Sequence, residues 1–204
     1  MARTGILGGT FNPPHVAHLV CAQEARAELG LDLVALVPVL APPHKALVAD
    51  PGPEARLELC RLAVAGDEGL EVRRDELDRP APSYTVDTLR ALHDSRPEDE
   101  LTLIVGADMA RDLPSWREPE EILRLATLAV AERGGEAREE LASALAELAT
   151  PRPIEFFDMP RLDISSTMIR RRVAEGRPIR HLVPDAVAER IARDGLYAGA
   201  GAAA

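Results

Sequence analysis

Six short apolar runs, near residues 4–7, 33–39, 70–74, 101–106, 127–132 and 154–157, alternate with segments whose apolar residues recur at helical spacing. This alternation restricts the fold more than any other feature of the chain. Strands joined by helical crossovers build a mostly parallel sheet, so an α/β, Rossmann-like open sheet with helices on both faces is expected. Helices are expected near residues 15–29, 54–65, 134–148, 164–173 and 184–195, with another opened by the loop at 79–85 and another separating the strands at 101–106 and 127–132. The 204 residues fit one domain, placed at 1–198, with the Ala/Gly-rich residues 199–204 expected to be a disordered tail.

Composition then narrows the function classes. Aromatic residues are 3% of the chain and hydrophobic residues 46%, so the core must be built from Leu, Val, Ile and Ala. The net charge is −10, from 34 acidic and 24 basic residues, which argues against broad binding of nucleic acid or an anionic membrane. An anionic ligand therefore has to meet a local positive site. Only one basic residue, Lys45, is a lysine; the rest are Arg. Cys21 and Cys60 lie far apart without CxxC spacing and are expected to be reduced and buried. The N-terminus lacks the apolar region of a signal peptide and no run approaches about 20 apolar residues, so a cytoplasmic location is expected.

The most informative stretch is GGTFNPPHVAHL, residues 8–19. Gly8 and Gly9 follow a strand, Pro13 and Pro14 suit the first turn of a helix, and a glycine turn feeding a helix N-terminus is a ready anion site. His15 and His18, three apart, fall on one helix face and can donate hydrogen bonds to phosphate oxygens. Spacing alone leaves open a capped helix with a satisfied histidine, or half of a metal site whose third ligand is missing. The segment is neither a P-loop nor a GxGxxG fingerprint. A second stretch, ISSTMIR, opens a helix with Ser165, Ser166 and Thr167, followed one turn on by Arg170. An ordinary N-cap explains the hydroxyls equally well. Residues 161–180, however, carry six Arg against Asp163 and Glu175, a local +4 that points to an anion site.

Together with Pro42-Pro43-His44-Lys45, the SYTVDTL segment at 83–89, Gly106-Ala107-Asp108 followed by Leu113-Pro114-Ser115-Trp116, and the closing VPDAVAERIARDGLY, these stretches resemble the nucleotidyltransferase superfamily. The resemblance is to bacterial nicotinate-nucleotide adenylyltransferases in particular, spans nearly the whole chain, and rests on six segments in the same order. It implies adenylyl transfer from ATP to nicotinate mononucleotide, with Mg²⁺, giving deamido-NAD and pyrophosphate. It places His18 at the α-phosphate and His15 at the ATP phosphates or a Mg²⁺-bound water. Ile164, Ser165, Ser166, Thr167 and Arg170 would take the β- and γ-phosphates. Gly8, Gly9, Thr10 and Phe11 would line the junction of the two nucleotides, and Gly106 and Asp108 the adenosine. On the acceptor side it implies Asn12, His44, Lys45, Ser83, Tyr84, Thr85 and Trp116, with Trp116 stacked on the pyridine ring and Lys45 reaching the phosphates.

The chain departs from the family pattern at Ala17, where glycine is usual, at Arg133-Gly134-Gly135 and at Arg190, often Tyr; none of these is a charged catalytic group. Competing readings are a superfamily enzyme acting on pantetheine phosphate or nicotinamide mononucleotide, and a nucleotide-binding module without turnover. The presence of His15, His18, Lys45 and Arg170 disfavours the last of these. Small-molecule substrates are expected as partners, and the sequence leaves the oligomeric state open, a homo-oligomer included.

Overall fold

The computed structural model describes residues 1–42, 47–132, 138–145, 148 and 151–199. Strands β1 (Arg3–Gly9), β2 (Leu33–Pro38), β3 (Leu70–Val72), β4 (Glu100–Gly106), β5 (Ala126–Glu132) and β6 (Glu155–Asp158) form one sheet in the order β3-β2-β1-β4-β5-β6, every neighbouring pair parallel. This is the doubly wound order, in which the chain reverses direction across the sheet between β1 and β4. Ligands of such sheets bind outside the strands' carboxyl ends at that point, here near Gly9 and Gly106.

The period of two along each strand divides the core. Ile6, Ala35, Val37, Leu103, Val105, Leu128 and Val130 face one side; Leu7, Val34, Leu36, Ile104, Ala129 and Ala131 face the other. The first side is covered by α3 (Thr85–Ser95), α4 (Ala107–Asp112), α5 (Pro119–Leu125) and α6 (Arg138–Leu145), which contribute Val86, Leu89, Ala110, Ile122 and Leu141. Ala17, Ala22 and Ala25 of α1 (Val16–Glu28) and Cys60 of α2 (Pro53–Val64) cover the second. Small alanines let α1 lie close on the sheet. A third cluster joins Leu59 of α2 to Ile169 of α7 (Ser166–Ala174), to Val187 and Ile191 of α8 (Asp185–Asp194), and to Tyr197. It fastens the two last helices beside α2. Cys60 is buried as expected, whereas Cys21 is only half-buried.

Two expectations change. The prolines do not open α1: His15 takes the N-cap position, so Pro13 and Pro14 precede the helix instead of occupying its first turn. The helical stretch expected between β4 and β5 is broken into two short helices, α4 and α5, flanking the Leu113–Ser115 3-10 turn. Residues 200–204 lie outside the described residues.

Candidate active site

β1 ends in Gly8 and Gly9 at the sheet's open end, and a Cβ added at Gly9 would crowd the Phe11 ring at 3.1 Å. A Cβ added at Gly8 would meet nothing within 4 Å, so packing within the chain does not demand glycine and the backbone stands open to a ligand. Phe11 holds a left-handed backbone, φ 46°, which is unfavourable for a bulky residue, and its ring is buried at 1% exposure. That ring meets His18 edge-on at 5.0 Å. The Phe11 side chain is therefore a floor beneath His18, and only its backbone is placed to line a nucleotide.

The two histidines are brought together. Their rings stack with centroids 3.7 Å apart, and the His15 N–H donates to His18 Nδ1 at 3.2 Å. Because His18 Nδ1 accepts, the proton of the neutral ring sits on Nε2, leaving that atom as a donor. His15 Nδ1 is buried without a partner; its approach to the first turn of α1 has the outline of a capping box but does not complete a hydrogen bond. Burial pulls the His15 pKa down to about 4, and burial together with the His15 charge pulls His18 down to about 3. Both rings are neutral at pH 7.

The ISSTMIR helix folds back onto this turn. Ser166 Oγ donates to the Pro13 carbonyl at 2.8 Å, and Arg170 NH1 donates to the Asn12 carbonyl at 2.8 Å. Ser165 is the N-cap, its Oγ accepting from Met168 N–H at 3.2 Å, and Thr167 Oγ1 accepts from Arg170 NH2. The two anion-suited segments, about 150 residues apart in sequence, thus meet. Ile164 packs against the cores beside and behind them. The local excess of Arg narrows in space. Arg161, Arg177 and Arg180 pair with Asp163, Glu175 and Asp185, and Arg172 donates to the Pro178 carbonyl; of the other two, Arg170 and Arg171, it is Arg170 that reaches the segment after the glycine turn, at the Asn12 carbonyl.

Across the switch point, Gly106 ends β4 and is the N-cap of α4, its surroundings open. Asp108 is exposed and paired with Arg111 at 2.7 Å. On the acceptor side, Tyr84 is the N-cap of α3, which no side chain of the described residues caps, and Thr85 is its first residue. Ser83 is not a cap: its Oγ accepts from Leu40 N–H at 3.0 Å, and its own N–H donates to the Ala41 carbonyl at 2.9 Å. Tyr84 and Trp116 both lean on the core under α3 and α5. Arg117 lies 4.8 Å over the Tyr84 ring and pairs with Asp87, which ties the Trp116 loop to the start of α3. Asn12 is buried, its Nδ2 donating to the Val48 carbonyl at 3.2 Å, so its side chain holds a loop and does not face solvent. His44 and Lys45 lie outside the described residues.

Sequence reasoning missed Arg117, and it missed a buried group in which Thr88 Oγ1 donates to Glu76 Oε1 at 2.7 Å beside Arg79. Burial raises the Glu76 pKa against the hydrogen bonds from Thr88 and Ser83. A charged residue in a polar loop gives no sign of burial until the loop's neighbours are known. Among the described residues no group of three His, Cys, Asp or Glu side chains could hold a metal ion, and no helix is long and apolar enough to cross a membrane.

Comparison with known proteins bears on the family and the fold. The Cytidylyltransferase-like family model matches residues 6–172. A probable nicotinate-nucleotide adenylyltransferase of Roseiflexus sp. strain RS-1 is 49% identical over 96% of this chain and 98% of its own length. One from Thermus thermophilus is 46% identical over 96% and 99%. The solved nicotinic acid mononucleotide adenylyltransferase of Plasmodium falciparum, complexed with NaAD, shares the fold at a TM-score of 0.75 and 19% identity, covering 97% of this chain and 98% of that one. With relatives this similar along nearly their full length, the chain belongs to the nicotinate-nucleotide adenylyltransferase family of cytidylyltransferase-like proteins.

Proposed function

We propose that the protein transfers the adenylyl group of ATP to nicotinate mononucleotide, releasing pyrophosphate and forming the nicotinate adenine dinucleotide, a step of NAD biosynthesis. The observation that carries this reading is the docking of α7 on the Asn12-Pro13 turn, which sets two anion-suited helix starts and the stacked histidines around one crevice. The acceptor phosphate has a second pKa of about 6 and is largely dianionic at pH 7, so it attacks the α-phosphorus without a general base. The task left to the protein is to align two anions and to offset charge on the leaving pyrophosphate.

His18 Nε2–H donates to the α-phosphate, where negative charge grows during transfer. Gly8, Gly9, Thr10 and the Phe11 backbone line the junction, while the hydroxyls of Ser165 and Thr167, the start of α7 and Arg170 hold the β- and γ-phosphates. Arg170 reaches them from its seat on Asn12, its fork dividing donors between carbonyl and phosphate. Gly106 and Asp108 take the adenosine, and Lys45 and His44 stay assigned to the acceptor phosphate side. Mg²⁺ bound to ATP would keep most of its waters and supply charge neutralisation. Such an ion would meet the chain beside His15, whose Nδ1 has no hydrogen-bond partner among the described residues. The uncapped first turn of α3 offers amides to the nicotinate carboxylate, and Trp116 takes the ring. The chain acts in the cytoplasm as one catalytic unit over residues 1–198.

The test is incubation of purified protein with ATP and either mononucleotide. The nicotinate form should yield the dinucleotide and pyrophosphate faster than the nicotinamide form; equal rates would remove the carboxylate assignment. Replacing Trp116 by Ala should raise KM for the mononucleotide by roughly tenfold, the scale of one aromatic stack. A change confined to the ATP KM would show that Trp116 does not stack on the acceptor.

A further inference from the structure

Arg56, in α2, is wholly buried at 0% exposure and belongs to none of the sequence motifs. Its guanidinium serves three partners from three segments. Nε donates to Asp50 Oδ1 at 2.9 Å, NH1 to the Thr10 carbonyl at 2.9 Å and NH2 to the Leu40 carbonyl at 3.1 Å. Thr10 stands in the turn after β1, while Leu40 and Asp50 stand on either side of the β2–α2 connection. Leu40 and Ala41 are in turn bonded to Ser83, the residue before Tyr84 and Thr85. One planar cation therefore joins the turn assigned to the nucleotide junction to the segment assigned to the acceptor. A second link runs parallel to it, from Asn12 Nδ2 to the Val48 carbonyl.

Burying a guanidinium for packing alone is a poor use of the site, since an aliphatic side chain fills the same volume without desolvating a charge. What no aliphatic residue can do is hold two carbonyls of different segments at a fixed separation, and a lysine lacks the rigid fork. We propose that Arg56 is a positioning residue for adenylyl transfer, setting the spacing between the donor turn and the acceptor segment. The inference rests on the adenylyl-transfer reading above. Arg56 touches neither substrate. Each nucleotide keeps its own contacts when Arg56 changes, and what is lost is the alignment of the attacking phosphate with the α-phosphorus. A misplacement of about 1 Å can cost on the order of a hundredfold in rate.

The experiment is steady-state kinetics of wild type, Arg56→Lys and Arg56→Met with both substrates varied, at a temperature where circular dichroism shows each protein folded. Lysine keeps the charge beside Asp50 and part of the carbonyl bonding; methionine keeps the volume and no donor. The expected result is a kcat at least about tenfold lower in Arg56→Lys and lower still in Arg56→Met, with both KM values within about threefold of wild type. Unchanged kcat per folded molecule, with only the melting temperature reduced, would overturn the proposal, as would a rise in one KM at constant kcat. If neither variant folds, Asp50→Asn takes their place: its side chain is 23% exposed and it removes the charged anchor of Nε. It should lower kcat in the same pattern by a smaller factor, and wild-type kinetics there would equally refute the role. Wild-type protein that fails to turn over the substrate pair refutes the underlying reading, and the inference with it; active wild type with unaffected variants refutes the inference alone.

Discussion

The neutral state of His18 follows from one hydrogen bond and one environment. The bond from the His15 N–H fixes the acceptor at Nδ1, and burial holds the ring's pKa at about 3, so at working pH the ring is a directed N–H donor with no net charge. The sign of the pH dependence can be worked out from this. kcat/KM reports groups of the free protein and free substrate. With His15 near 4 and His18 near 3, neither titrates between pH 6 and 8, while the acceptor phosphate loses its second proton at about 6. kcat/KM for the mononucleotide should climb through pH 6 and level off to pH 8. A descending limb between pH 6 and 8 would mean that a protonated imidazole is required. The histidine pair was legible in the sequence as a spacing, but its tautomer was not, because that depends on which backbone amide a ring meets after His15 becomes the N-cap. Arg56 was illegible for a related reason. In a segment of helical period an arginine reads as a solvated residue, and its burial is created by partners 46, 16 and 6 residues away.

Among the elements, short apolar runs located all six strands to within a few residues, since a parallel strand covered by helices on both faces reads as a continuous apolar run. The helical stretch between β4 and β5 was legible, while its division into α4 and α5 around Leu113–Ser115 was not, because six or seven residues carry too few turns to show a period. α7 was legible as a helix and as an anion-suited terminus, while its docking on Pro13 was not, being a contact 153 residues long in sequence. The central strand carries a sharper test of packing. A Cβ on Gly5 would lie 2.8 Å from Ile104 Cδ1 and 2.9 Å from Leu31 Cδ1, and it would point into the side of the sheet that α1 covers. Gly5→Ala should therefore destabilise the fold by about 1–3 kcal/mol, the usual penalty for overpacking a well-filled core. Denaturant unfolding measures it, and an unchanged midpoint would show that the Ile104 and Leu31 side chains yield without loss.

For the whole molecule, a net charge of −10 and two anionic substrates are compatible because charge is sorted by place. Most of the Arg residues lie in ion pairs on the surface, as with Arg74 and Asp78 or Arg190 and Asp194, where each pair is worth little. The open ends of β1 and β4 are instead served by the turn at Gly8 and Gly9, the start of α7 and Arg170. The doubly wound order makes this possible by parting the crossovers on either side of β1 and β4, so that segments from both ends of the chain converge there. Adenylyl transfer in this crevice, with His18 donating to the α-phosphate, can be checked by pyrophosphate release from ATP and nicotinate mononucleotide in wild type and His18→Ala. Wild type should turn over, and the variant should lose on the order of a hundred- to a thousandfold in kcat, the scale of one transition-state donor, while remaining folded. Equal rates in the two proteins, or no turnover in the wild type, would contradict it.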